Sequence, residues 1–162
     1  MRRHLVLFVR APQLGRGKRR LARAIGDVAA ARFERAMLAL LLRRLAGDRR
    51  WRLRLAVTPD TACRHARHWR RGVAVTGQGG GDLGIRMRRA LAANPPGPVV
   101  LVGARRAPRL PPLFERVRWS GPYALADTLA GLPRRITVGL VDRLEDVDDG
   151  EAYRRLVPRR GF

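Results

Sequence analysis

The chain has 162 residues, 46% of them hydrophobic, which suits one compact domain over 1–162 and argues against two. Thirty-four arginines and a single lysine, Lys18, face thirteen acidic residues, for a formal net charge of +22. One cysteine, Cys63, excludes an intrachain disulfide, and the longest apolar stretch, Ala36 to Leu42, is too short to span a bilayer, so a cytoplasmic protein without a membrane span is expected. Met1-Arg2-Arg3 and the apolar run behind it imitate a signal peptide, but Arg10 and Pro12 cut that run short of an h-region. Nearly exclusive use of arginine is what a G+C-rich coding sequence imposes on ordinary surface positions. The arginines are also scattered along the whole length, without a basic block or interleaved aromatics, which speaks against nucleic acid as the partner.

Taken in order, the first element is a strand over 4–9, which breaks into a Pro/Gly loop, Arg10-Ala11-Pro12-Gln13-Leu14-Gly15-Arg16-Gly17-Lys18. A helix is expected from Asp27 to Leu45, with Phe33, Met37, Leu40, Leu41 and Leu45 on its apolar face, Asp27 as N-cap and Gly47 as its stop. Strand 52–58, a helix over Thr61 to Arg70 and strand 72–76 follow. A further helix over Asp82 to Ala93 carries Leu83, Met87 and Leu91 on one face and ends at Asn94-Pro95-Pro96-Gly97. Strand 98–103, an Arg/Pro-rich stretch from Ala104 to Pro112, a weak helix near Tyr123 to Ala130 and a last strand at 136–142 complete the chain. Alternating strands and helices, with strands nearly continuously apolar, predict an α/β fold: three layers around a mostly parallel sheet.

Three segments carry candidate chemistry. A strand that ends in a Pro/Gly loop and enters a basic helix suits an anion, because loop N–H groups and side-chain cations converge on it. Gly15-Arg16-Gly17-Lys18 is not a Walker loop, since Pro12 and Arg19 occupy the positions of its first glycine and its hydroxyl residue, and a surface turn with solvated basic side chains explains it too. Gly77-Gln78-Gly79-Gly80-Gly81-Asp82-Leu83-Gly84 satisfies a dinucleotide-type glycine spacing but follows the third strand and lacks the later acidic residue. It reads as a close backbone approach to a ligand, with Asp82 either contacting a ligand hydroxyl or simply capping the helix. The third segment bunches six of the thirteen acidic residues: Asp142, Glu145, Asp146, Asp148, Asp149 and Glu151. Asp146 and Asp148 offer hard oxygens to Mg²⁺ or Mn²⁺, or else form a solvated turn in which Asp148 or Asp149 caps the final helix. Cys63, His65 and His68 could be drawn as metal ligands, since i and i+3 positions share a helical face, but a fourth ligand is lacking nearby, and the tryptophans are too dispersed for a stacking platform.

The run Phe8 to Leu21 resembles the start of a bacterial family of glycosyltransferase-A-like proteins related to 2-phospholactate guanylyltransferase, whose loop reads A-P-x-x-G-x-x-K-T-R-L. Gln78-Gly79 with Gly81-Asp82-Leu83-Gly84-Ile85-Arg86-Met87 is similar to its Q-G-x-G-D-L-G-x-R-M. Leu113-Phe114 through Trp119-Ser120 to Thr128, and Leu144-Glu145-Asp146-Val147-Asp148, resemble its C-terminal part. The resemblance implies a shortened Rossmann-like domain of the glycosyltransferase-A (nucleotide-diphospho-sugar transferase) type and a nucleotide or nucleotide sugar as partner. It further implies that Ala11, Pro12, Gly15, Lys18 and Arg20 hold the nucleotide phosphates, that Gly81 and Asp82 lie beside the nucleotide, and that Asp146 or Asp148 approaches Mg²⁺ or Mn²⁺.

Two departures qualify that pattern. Arg19 stands where the family has Thr, and Gly103 runs directly into Ala104-Arg105, where the family has a metal-binding Ser-Asp-x-P segment and then an acceptor-lining D-G-G-Y segment. A central block is therefore read as absent near 103–105. The resulting expectation is a transferase using an activated nucleotide donor, with an incomplete catalytic half and no assigned catalytic residue. The alternatives are a non-catalytic nucleotide-binding relic or regulator and an arginine-rich nucleic-acid binder.

Overall fold

The computed structural model describes residues 3–65, 69, 72–95, 97–100, 105–106, 114–119, 121–140 and 146–156, with 97–100 and 105–106 as backbone. The elements are β1 (Arg3–Arg10), α1 (Arg19–Ile25), α2 (Asp27–Ala46), β2 (Trp51–Thr58), a 3-10 turn (Asp60–Arg64), β3 (Ala74–Gly77), α3 (Leu83–Ala92), β4 (Gly97–Val100), β5 (Arg105–Arg106), α4 (Ala124–Ala130) and α5 (Gly150–Leu156). The chain divides into two compact units, Met1–Ala11 with Arg44–Val138 and Pro12–Arg43 with Gly139–Phe162.

The first unit holds the sheet, in the order β3-β2-β1-β4-β5. β1 pairs in parallel with β2 and β4, β2 pairs in parallel with β3, and only the two-residue β5 runs antiparallel, against β4. The 3-2-1-4 succession is that of a shortened Rossmann-like sheet, so the expected α/β class holds. Valine and leucine runs become inner strands because β2 is covered: Leu53, Leu55, Ala56 and Val57 are buried. α3 closes the core, where Val6, Ala56, Leu91 and Phe114 pack with Phe8, Met87, Ala90 and Trp119 around them. Gly84 is required there, since a Cβ on it would collide with the Phe114 carbonyl. Asn94 ends α3 as expected, its amide donating to the Ala90 carbonyl at 2.6 Å.

The second unit contains α1, most of α2, and α5. α1 packs on α5, Leu21 is fully buried, and Phe33 meets Tyr153 edge to face at 5.3 Å.

Several expectations are corrected. Residues 136–140 form no strand: Gly139 interrupts the run, no ladder reaches it, and Val138 and Leu140 stay exposed. The start of the helix expected over 61–70 is instead the 3-10 turn, where the Ala62 carbonyl accepts from the Trp69 indole at 2.9 Å and the His65 N–H at 3.1 Å, and 66–68 and 70 lie outside the described residues. Strand 72–76 moves to Ala74–Gly77. In α2, Leu40 and Leu41 are exposed while Ala30, Ala31 and Leu42 are buried, since a helix apolar all round from 36 to 42 lets periodicity choose no face. Asp27 lies inside the first turn, and the Gly26 carbonyl accepts the Ala30 N–H at 3.0 Å. Residues 101–103 of the fourth expected strand, 141–142 of the last, Leu113, Ser120, His68, Asp142 and Glu145 lie outside the described residues, as do Gly103 and Ala104 at the proposed deletion.

Candidate functional site

In the second unit the Pro/Gly loop leads into α1. Arg16 N–H donates to the Gln13 carbonyl at 3.2 Å, Gly15 takes φ +71°, and the Arg19 guanidinium donates back to the Gly15 carbonyl at 2.8 Å. The substituted Arg19 thus ties down a loop carbonyl. Lys18 immediately precedes α1, and its half-buried ammonium reaches residues nearly 130 positions away: Asp148 Oδ1 at 2.7 Å and Asp146 Oδ1 at 3.1 Å. Arg20 adds a longer contact, 3.3 Å to Asp148 Oδ2.

These side chains tune one another. Burial opposes the charged form of Lys18, but the hydrogen bonds it donates to Asp148 and Asp146 outweigh it and raise its pKa. The Lys18 hydrogen bond, aided by Arg20 and against some burial, depresses the Asp148 carboxyl. Asp149 has another task. Its Oδ1 accepts the N–H groups of Ala152 at 2.9 Å and Glu151 at 3.0 Å, capping α5 and fixing the turn that presents Asp146 and Asp148. The Ala152 N–H is the main cause of its lowered pKa. Lys18, Arg20, Asp146 and Asp148 therefore meet in this unit. Pro12 is buried here, while Ala11, in the first unit, extends the ladder by donating to the Thr58 carbonyl at 2.8 Å.

The glycine-rich loop belongs to the carboxyl edge of the sheet. Gln78 is buried, its amide donating to the carbonyls of Ala56 at 2.9 Å and Val9 at 3.2 Å while its own oxygen accepts from Arg86 at 3.0 Å. Arg89 donates to the carbonyls of Gln78 at 2.6 Å and Gly80 at 3.1 Å, and Asp60 accepts the Gly79 N–H at 3.1 Å. Gly81 sits at φ +100° against Ile85, where a side chain would be strained. Asp82 caps α3, accepting the Ile85 N–H at 2.8 Å.

Residues 41–113 match the model of a family described as "Uncharacterized protein conserved in bacteria (DUF2064)". That is somewhat less than half of the chain. No curated protein and no solved structure matches it. The matched stretch includes the glycine-rich loop and α3 but neither Lys18 nor Asp146 and Asp148, and the family's description names no activity. No named relative supports the likeness to glycosyltransferases or to guanylyltransferase.

Sequence reasoning missed Asp60, Arg86 and Arg89 as fasteners of the loop. Their signal was weak: an acidic residue just after a strand, and two arginines among thirty-four. Cys63 lies in the 3-10 turn with a thiol pKa raised chiefly by burial, and among the described residues no three His, Cys, Asp or Glu side chains gather as a metal site. No described helix is long and apolar enough to cross a membrane.

Proposed function

We propose that the chain is a transferase of the glycosyltransferase-A or nucleotidyltransferase type that takes an activated nucleotide donor, with Lys18 as the cation that grips its phosphates. The observation that carries this reading is the meeting of Lys18 with Asp146 and Asp148, at 3.1 and 2.7 Å, across nearly the whole sequence. A lone lysine among so many arginines, held between two carboxylates, is an ammonium kept charged and aimed. A donor phosphate, with more charge than either aspartate, would compete for that ammonium and draw on Arg20 as a second cation.

Two hard carboxylate oxygens also suit Mg²⁺ or Mn²⁺, which proteins commonly hold by one or two carboxylates plus substrate phosphates. Asp146 and Asp148 would hold the ion once Lys18 turned to the phosphate, and the ion would supply charge neutralisation for a leaving phosphate. A second reading has its own support: with Lys18 as counter-ion to both carboxylates, the arrangement is also that of a protein that binds a nucleotide without turning it over.

Thermal unfolding measured with a panel of nucleoside triphosphates and nucleotide sugars, with and without Mg²⁺ or Mn²⁺, tests the proposal. At ligand about 100-fold above Kd, binding adds about 2.7 kcal/mol, a rise of roughly 5–10 °C for a chain of this length. The divalent-ion-dependent part of that rise should vanish in Lys18→Ala. No such rise with any member of the panel rejects the donor site, and release of free nucleotide or pyrophosphate during incubation separates a transferase from a binder.

A further inference from the structure

A sizeable cavity lies away from the carboxyl edge of the sheet. It has a volume of about 730 Å³ and lies where β1 and β2 begin and where Gly72 and Val73 lead into β3. Four of its nine described lining residues are arginines, Arg3, Arg49, Arg50 and Arg52, and Trp51 stands among them. Arginine is abundant on this chain, so basic lining alone would mean little. The partners of these four distinguish them.

Arg50 is committed: its guanidinium clasps Asp48 at 2.6 to 3.0 Å, and the same carboxylate takes its backbone N–H at 2.9 Å. That clasp, with Trp51 N–H donating to the Asp48 carbonyl at 3.3 Å, fixes the turn between α2 and β2. Asp48 is held at a pKa of about 2 by it. The turn therefore delivers Arg49, Trp51 and Arg52 to the cavity in a set order. Arg3 lies in register with Trp51 on the neighbouring strand. Unlike Arg50, the side chains of Arg3, Arg49 and Arg52 have no acidic partner among the described residues. All three are exposed, and Trp51 is partly exposed.

Three uncompensated guanidinium groups around a concavity of this volume form an electrostatic trap for a multiply charged anion, since arginine forks match phosphate oxygens. The volume falls within the range of small-molecule sites, and the indole offers a face for a planar ring. We propose that this cavity is a second anion site, on the amino edge of the sheet, that takes a small ligand carrying two or more phosphate charges and an aromatic ring. Arg3, Arg49 and Arg52 hold the phosphates there, Trp51 stacks the ring, and no divalent ion is needed because the arginines supply the countercharge.

Titration of the whole chain with adenosine diphosphate, guanosine diphosphate and inorganic pyrophosphate, in the presence of EDTA, tests this by calorimetry. A nucleoside diphosphate should bind several-fold more tightly than pyrophosphate, and Trp51→Leu should erase that margin. Arg49→Gln/Arg52→Gln, two exposed changes that leave the Asp48 clasp in place, should weaken binding tenfold or more, whereas Arg32→Gln/Arg35→Gln, two equally exposed changes on α2 outside this cavity, should leave it unchanged. Thermal unfolding without ligand verifies that the variants fold. The proposal is overturned by a double variant that binds as tightly as the parent. It is equally overturned by a parent that ignores both diphosphates and binds only a single-stranded oligonucleotide, which would make the patch part of an extended nucleic-acid surface.

Discussion

The glycine-rich loop and the Lys18 cluster are both candidates for contact with a phosphorylated ligand, yet they are fastened in opposite ways. Gln78 is buried and spends its amide on two strand carbonyls, while Arg89 and Asp60 hold the backbone on either side. In the cluster the bonds run between charged side chains that remain partly open to water, with Asp146 at 75% and Asp148 at 41% exposure. Bonds of the first kind belong to the folded scaffold and cost much to break. Those of the second kind are worth little in water, so a ligand can exchange them. The loop is fastened by buried bonds, and the cluster is held by bonds that lie open to water.

The largest effect that would break this contrast is expected at Gln78. Gln78→Leu removes the side chain that bonds the Val9 and Ala56 carbonyls and leaves the Arg86 guanidinium with only the Asp82 carbonyl, at a cost of about 2–4 kcal/mol measured by chemical denaturation. A change below 1 kcal/mol would mean that the loop is not fastened by its glutamine. Asp149→Ala comes next, removing the double cap of α5 and costing about 1 kcal/mol. Because that cap presents Asp146 and Asp148, the variant should also weaken the divalent-ion-dependent nucleotide response. Lys18→Ala should change stability by less than about 1 kcal/mol, since its ion pairs are partly exposed, while removing that same response completely. A large loss of stability here would make the cluster a structural clasp and erase the contrast.

How far the sequence foretold these two regions follows from the range of the bonds involved. Asp82 before α3 and Asn94 behind it were legible because caps and stops act within a turn of the chain. β1 and β2 were legible because strands inside a sheet need a largely apolar run, as Leu5 to Val9 and Leu53 to Val57 supply. Lys18 and Asp148 could be named as candidates, but their meeting depends on α1 and α5 packing together, which no local pattern encodes. The faults have equally local causes. At 61–65 the Trp69 indole and the His65 N–H took the carbonyl that an α-helix would have used. In 136–140 an apolar run looked like a strand although strands exist only through partners. In α2 too many apolar residues left the buried face undetermined.

The smallest effect concerns an ion pair that combines features of both regions. Arg118 and Asp127 are joined by two guanidinium hydrogen bonds, at 2.8 and 2.9 Å, and Asp127 also accepts the Arg118 N–H at 2.9 Å. Arg118 lies over the Tyr123 ring at 4.0 Å. The pair is a surface contact like the cluster, yet it is bidentate and anchored to backbone like the loop. The Arg118 guanidinium, and after it the Arg118 N–H, hold the Asp127 carboxyl at a pKa of about 2, below its ordinary 3.8. A depressed carboxyl stabilises the fold above its unfolded pKa and loses that contribution as pH falls through its folded one. Stability supplied by this pair is thus complete above about pH 5, mostly lost by pH 2 and gone near pH 1. Asp127→Asn should unfold at a lower temperature than the parent at pH 5, and the gap should shrink to a small remainder as pH drops to 2. The comparison between the two proteins cancels the other carboxylates that titrate in the same window, Asp48 among them. A gap that persists undiminished at pH 2 would place the contribution of Asp127 in its uncharged contacts. Geometry would then outweigh charge in this pair, and the line drawn here between fastened and displaceable contacts would run through hydrogen bonding rather than ionisation.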